Sequence, residues 1–300
     1  MSASVLLAIP FALFAIVLLL CFVGCGFEHG QLAGGFTTYT SSILAEPTLV
    51  AYWPLGEAGG TTAFELKGPR NGTYLSQFFP ADPLIGSAES ANPPVLSLGE
   101  QGLLDGDRVP PANTDRTTCI KVDGGYVSVD FDAALNPTQA DGFTIEAWVR
   151  VGWDEASTAA IRVIMVSFDI TAGNHGYGLL ATRTNTWQGQ VGTGSGITTT
   201  TTDPANDPPI MLGMTSHVVL TYDGSLLTLF VNGSQAAQVT TDYQPAQSRL
   251  FIGAGAPFFP EPRFPWVGNI QCVAIYKGAL SPEQVATHTA HGNGMFVDGQ

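Results

Sequence analysis

Side chains able to do chemistry are sparse in this chain, and few of them sit at a spacing that chemistry requires. Hydrolysis of a glycosidic bond needs two carboxylates about 5–9 Å apart across a cleft. One strand can supply them as Glu-x-Asp-x-x-Glu, and that motif is absent. Glu146 is the single acid in the apolar run 143–151, while Asp130 and Asp132 fall where a strand gives way to a turn and read as solvent-exposed turn residues. Of the histidines 29, 175, 217, 288 and 291, His288 and His291 lie near one helix face, with no third ligand suggested. His217 follows Ser216 without a Gly-x-Ser-x-Gly elbow. There is no P-loop, no dinucleotide fingerprint and no Cys-x-x-Cys metal spacing. The expectation is a protein without catalytic activity.

The four cysteines form two groups. Cys119 and Cys272 fall in strand-like segments. In an oxidising compartment they would close a long loop as a disulfide; otherwise they are small buried apolar side chains. Cys21 and Cys25 belong to the apolar N-terminus, where Phe22-Val23-Gly24-Cys25 has the form of a lipidation motif with an atypical Phe.

That N-terminus is the longest apolar stretch. Residues 1–27 carry no charge, and 5–23 are almost wholly apolar, about the length needed to span a bilayer. A cleaved signal peptide and a lipoprotein acylated at Cys25 are the rival readings. The length and the missing basic start favour an intact transmembrane helix. No Lys or Arg precedes Lys67, so the following chain crosses easily and the domain is expected on the extracytoplasmic side. Ser4, Ala8, Ala12 and Ala15 form a small-residue row suited to packing against another membrane helix. Residues 28–47, rich in Gly, Ser and Thr, read as a flexible linker.

Elements to position a site come next. With 35 Gly, 20 Pro and 12% charged residues, the composition suits short strands and many turns. A formal charge of −14 on 11 basic residues excludes a nucleic-acid stripe. Apolar or alternating runs at 50–54, 119–122, 126–131, 143–151, 162–168, 177–182, 217–222, 226–231, 235–240, 249–253 and 268–276 predict strands. Asn232-Gly233 marks a hairpin. Ser281-Pro282-Glu283-Gln284 opens a capped helix that runs to about 291, leaving a tail at 293–300. The pattern is an all-β antiparallel sandwich over 48–292 with one short C-terminal helix.

The order of several blocks is similar to the LamG-like, concanavalin A-like jelly roll. These are Ala51-Tyr52-Trp53-Pro54-Leu55-Gly56-Glu57, Asn71-Gly72-Thr73-Tyr74, Gly125–Val129, Phe143–Val149, His217–Gly224 with Leu229–Gly233, Phe251-Ile252-Gly253 and Gly268–Tyr276. The resemblance implies a binding or adhesion module, and in many members a structural Ca²⁺. Its acidic ligand before the early Asn-Gly segment matches Glu65; the Asp of the last strand is replaced by Gln271, with Cys272 after it. Glu65 is thus a weak Ca²⁺ candidate on its own, and no other cofactor is implied.

Function is then sought in the insertions 78–117, 197–209 and 256–266. The last presents Phe258, Phe259, Phe264 and Trp266 among four prolines, suited to sugar stacking or a protein contact, or else to capping the sandwich's own core. The main expectation is an accessory subunit of a larger membrane complex, held by its helix and its sandwich; the alternative is a cell-surface glycan-binding or adhesion module.

Overall fold

The computed structural model describes residues 38–295 except 83, 85, 106–117, 155–159, 171–172, 208 and 256–261. Its strands are β1 (Leu49–Trp53), β2 (Thr62–Ala63), β3 (Gly72–Ser76), β4 (Val95–Gln101), β5 (Thr118–Asp123), β6 (Gly125–Val129), β7 (Phe143–Val151) and β8 (Arg162–Asp169). They continue as β9 (His175–Ala181), β10 (Trp187–Gly192), β11 (Ile197–Thr201), β12 (Thr215–Tyr222), β13 (Leu226–Val231), β14 (Ser234–Thr240), β15 (Leu250–Ile252) and β16 (Val267–Lys277). Helices α1 (Tyr39–Ala45) and α2 (Pro282–Gly292) flank them.

Two sheets face each other. The first runs β14-β13-β12-β7-β16-β5-β4, with β1 also on β16; the second runs β11-β10-β9-β8-β15-β6-β3-β2. β16 serves two partners on one edge, β5 through 267–270 and β1 through 273–276. The change occurs at a bulge where Cys272 takes φ +55°. Asn232 and Gly233 both have positive φ, 50° and 82°, as the two-residue β13–β14 hairpin requires.

Alternation explains both the core and what lies behind it. Along β7, Phe143, Ile145, Ala147, Val149 and Val151 point between the sheets into the main core. Each fully buried Phe, Ile or Val side chain contributes about 1.5–3 kcal/mol relative to exposure. The other face of β7 presents Thr144, Glu146 and Trp148, and these are buried too. They are covered by α1 and α2, whose Tyr39, Ile43 and Val285 join Trp148, Val219 and Tyr276 in a second apolar cluster. Ser281 caps α2 in a full capping box, and Val285, His288, Thr289 and Gly292 form its buried face at helical spacing. Gly292 is there because a Cβ would sit 2.2 Å from the Trp148 ring.

Three expectations need correction. Residues 39–45, taken as part of a flexible linker, form α1: Thr38 caps it, and Tyr39 and Ile43 find an apolar face to bury. The Thr run at 197–201, taken as loop, is edge strand β11, paired with β10 along its whole length. Within the insertion 78–117, residues 95–101 form β4, so that segment too contributes to a sheet.

Candidate functional site

At one end of the sandwich β5, β7 and β9 finish while β8 and β16 begin, and the gap between them is a cleft of about 830 Å³. Trp153, just beyond β7, lies on its floor. The indole Nε1 donates to Asn185 Oδ1 at 3.3 Å, and the ring meets Trp266 edge-on at 4.8 Å. Trp187 stacks behind Trp266 at 6.1 Å. Three of the chain's five tryptophans therefore stiffen this end.

Arg162, the first residue of β8, lies over Trp153 with Cζ 4.5 Å from a ring centre. It is only 4% exposed. Nη1 reaches the Ala160 carbonyl at a long 3.4 Å, and the buried Nε has no acceptor among the described residues. Burial brings the guanidinium's pKa down to about 10, against a smaller opposing effect of the Asp123 charge. One wall is pinned by backbone hydrogen bonds: Ile161 N donates to Gly86 O and Val163 N to Phe264 O, while Phe264 N donates to Ser87 Oγ. Arg183 lies across Gly86 so closely that a Cβ there would be 2.1 Å from its Nε. Asp123, Asp154 and Glu89 add carboxylates to the lining. An aromatic floor, two guanidiniums and carboxylates suit a ligand with many hydroxyls or with charge. A smaller cavity of about 380 Å³ at the opposite end, bordered by Val50, Phe131, Pro137 and Pro245, is mostly apolar.

A second cluster of ionisable groups lies sealed between α2 and the outer face of β7. Glu146, wholly buried, accepts at Oε2 from His217 Nε2 (3.2 Å) and His288 Nδ1 (3.1 Å). At Oε1 it accepts from Tyr276 (2.5 Å) and, more weakly, Tyr39 (3.5 Å). His288 Nε2 extends the chain to Glu46 Oε1 at 3.2 Å, and His217 Nδ1 meets Thr289 Oγ1 at 2.8 Å. Burial opposes ionisation of Glu146, but the charge of His288 and hydrogen bonds from both imidazoles bring its pKa well below the usual carboxylate range. His288 is itself opposed by burial, yet Glu146 and Glu46 raise it to about 9. His217 is held below its ordinary value by burial. Burial and the Glu146 charge keep the Tyr276 hydroxyl protonated, so it donates. With Glu146, His217 and His288 buried and Glu46 partly open to solvent, this cluster ties α1 and α2 to the sheet.

The sequence-derived candidates divide sharply. Phe264 and Trp266 are buried, Phe264 packing on Val163 and Val166, and Trp266 within the main core, so neither is a surface for stacking a ligand. Phe258 and Phe259 lie outside the described residues, as do Ser4, Ala8, Ala12, Ala15 and Cys25. Among the described residues no helix is long and apolar enough to cross a membrane. Glu65 is spent on backbone: Oε1 accepts from Tyr52 N (3.0 Å) and Lys67 N (2.6 Å), and Oε2 from Gly68 N (2.5 Å). Gln271 likewise accepts from Leu103 N, and among the described residues no three His, Cys, Asp or Glu groups are placed to hold a metal ion. Both Glu65 oxygens thus hold the turn that follows β2. Cys119 and Cys272 are buried free thiols; Cys119 donates to Gln101 O, and Cys272 accepts from the Tyr52 hydroxyl. Asp132 caps a short 3₁₀ turn and pairs with Arg70 at 2.7 Å.

Neither the Trp153–Arg162 floor nor the Glu146 cluster emerged from sequence reasoning. The signal for the first was a Trp and an Arg at the two ends of one connection, 152–161. For the second it was a lone acid inside an apolar strand, with His217 opening another strand.

Two antiparallel sheets in this order, closed by a C-terminal helix, define a concanavalin A-like sandwich. The chain belongs to the family Laminin_G_3, concanavalin A-like lectin/glucanases superfamily, whose model matches residues 123–286, over half of the chain. No curated protein matches it in sequence. Among solved structures, the binding domain of botulinum neurotoxin serotype D is similar at a TM-score of 0.52 with 10% identity, covering 81% of this chain and 51% of that one. Trypanosoma rangeli sialidase with 2,3-difluorosialic acid gives 0.50 and 14%, covering 82% and 33%. Domain 4 of AbnA, a GH43 extracellular arabinanase from Geobacillus stearothermophilus, in complex with arabinotriose, gives 0.49 and 14%, covering 81% and 98%. The chain thus spans about a third to a half of the first two, and at these identities the likeness is one of fold.

Proposed function

We propose that the chain is a non-catalytic, extracytoplasmic glycan-binding module whose ligand occupies the cleft between the ends of β7 and β8. The observation that carries this reading is the Trp153–Arg162 stack on the cleft floor: a polar donor held on a rigid aromatic ring, whose buried Nε lacks an acceptor among the described residues. Sugars present rings of hydroxyls, and a cleft lined by guanidinium and carboxylate groups complements them. Membership of a lectin/glucanase superfamily supports a sugar over other ligands of this size. The absence of Glu-x-Asp-x-x-Glu and the sealing of Glu146 favour binding over hydrolysis. The apolar run 5–23 favours attachment to the outer side of a membrane. The accessory-subunit expectation rests on residues 1–27, outside the described region, and has no further support.

A glycan array read with the intact protein tests the proposal. At least one glycan class is expected to be retained, and Trp153→Ala to weaken retention tenfold or more. Because Trp153 is buried, Arg183→Ala at the exposed wall serves as a second variant, expected to weaken binding several-fold with an unchanged melting temperature. No retention of any glycan, or retention indifferent to both variants, rejects the cleft; release of reducing ends from a retained glycan rejects the non-catalytic reading.

A further inference from the structure

Arg162 deepens the glycan-binding reading and rests on it. A guanidinium has five N–H donors, and with its pKa brought down by burial to about 10 Arg162 still carries its charge at neutral pH. Burying such a charge is costly unless it is paired and hydrogen-bonded. At Arg162 the compensation is incomplete: one long bond to Ala160 O, an Nε without an acceptor among the described residues, and no carboxylate among those residues at ion-pair distance. Asp123, the nearest source of negative charge acting on it, has an oxygen committed to the backbone N–H of Ala91 at 2.8 Å. The Trp153 face supplies a cation–π contact, which orients the guanidinium plane but brings no acceptor atom.

What is missing is an anionic, preferably two-oxygen acceptor entering from the cleft. Planar guanidinium and carboxylate meet edge to edge through two parallel hydrogen bonds, an arrangement a neutral hydroxyl cannot reproduce. We propose that the ligand is an acidic sugar, and that Arg162, held on the buried Trp153 ring, receives its carboxylate while the rest of the cleft receives the pyranose body. Arg183, exposed on the facing wall, adds a second positive group near the same space. The carboxylates of Asp154 and Glu89, at the rim, accept from the sugar's hydroxyls and disfavour ligands carrying many negative charges.

The test is titration calorimetry of the intact protein with a glucuronate-containing oligosaccharide, a sialyl oligosaccharide, and the carboxyl-reduced form of each. Either acid is expected to bind at least tenfold tighter than its reduced partner, with the preference shrinking as salt rises. Arg162→Gln is expected to abolish the preference and Arg162→Lys to restore only part of it, since a point charge lacks the fork. Should the Arg162 variants fail to fold, the side-chain Nε–H resonance of Arg162 in the wild type is followed instead; it must shift on adding the acid and not its reduced form. Equal binding of acidic and neutral sugars overturns this inference and leaves the glycan-binding reading standing. An acid preference that survives Arg162→Gln, or an unmoved Nε–H resonance, overturns the assignment to Arg162. No binding by any sugar, here and on the array, overturns both.

Discussion

Two buried charged groups in this molecule have opposite surroundings. Glu146 has every lone-pair direction answered, by two imidazoles on one oxygen and two phenols on the other. Among the described residues Arg162 has one long hydrogen bond and an unanswered Nε. Both are removed from water, so each bears a desolvation cost, but only at Glu146 is that cost offset within the fold. A fully satisfied network in a sealed site rigidifies its surroundings; here it joins sheet, α1 and α2. An incompletely satisfied cation beside a cavity holds capacity for a ligand. The comparison predicts that changes at Glu146 act on stability and leave binding alone, and that changes at Arg162 do the reverse.

The strongest break in that comparison is Glu146→Ala. It leaves His288 with only the partly exposed Glu46 as a counter-charge and two buried tyrosine hydroxyls lacking their acceptor, and removal of one partner from a buried pair costs about 3–5 kcal/mol. For a domain of this size that is a fall in melting temperature of about 6–20 °C, read by calorimetry or circular dichroism. The fraction still folded should bind glycan with unchanged affinity. A melting temperature within a degree or two of wild type would remove the cluster's structural role.

Next in size is Gly292→Ala. The added methyl meets the Trp148 ring at 2.2 Å, and Trp148 is fixed by stacking on His217 at 4.8 Å. Overpacking of this kind costs about 1–3 kcal/mol. Chemical denaturation should show a lower midpoint, and tighter packing of α2 instead would contradict the contact described.

The pH dependence sharpens the comparison because the two clustered imidazoles titrate in opposite directions. His288 has its pKa raised to about 9. Its contribution is therefore fully present below the unfolded value of about 6.5 and is lost as pH rises through about 9. His217 has its pKa lowered, so folding favours its neutral form, and its contribution is lost as pH falls below about 6.5. Glu146, with a lowered pKa, adds a loss at still lower pH, as its folded form takes up a proton. Stability should therefore be greatest near pH 6.5 and fall as pH rises from there toward about 9, and His288→Gln should flatten that alkaline limb. An alkaline limb unchanged in that variant would show that His288 is not its source.

How much of this was legible in the sequence follows from the same physics. Period-2 alternation identified β7, β12 and β16 because their inward residues form the core. The Asn232-Gly233 turn and the Ser281 cap were legible because each is set by two or three adjacent residues. What covers the outer face of β7 was not legible. Glu146, His217, His288 and Glu46 come from four separated segments: the register of β7 with β12 brings Glu146 and His217 together, and His288 reaches them only from α2. Tyr39 was hidden for another reason: α1 is a seven-residue helix of modest propensity, formed because Tyr39 and Ile43 find a surface to bury. The aromatic loop misled because spacing does not tell inward from outward in an irregular segment, and Trp266 turned inward. Trp153 and Arg162 stand at the ends of two different strands, and nothing in their sequence positions shows that they stack.

The smallest effect is the most discriminating about α1. Glu46 holds His288 Nε2 at 3.2 Å and accepts from Gln284 Nε2 at 3.0 Å, so it connects the C-terminal end of α1 to α2. Its side chain is partly open to solvent, so the pair is worth less than a sealed one. Glu46→Gln keeps the volume and one acceptor oxygen but removes the charge; a cost of about 0.5–1.5 kcal/mol is expected. With one of its two carboxylates gone, His288 should deprotonate at lower pH, moving the alkaline limb toward neutrality. Hydrogen exchange should then show faster opening of α1 amides while those of β7 keep their protection, because α1 is held by its ends and by Tyr39, and β7 by two full ladders. Equal loosening of α1 and β7 would mean that the strap and the sheet open as one unit. The Glu146 cluster would then be part of the sandwich core, not the joint between the sandwich and the helix that precedes it.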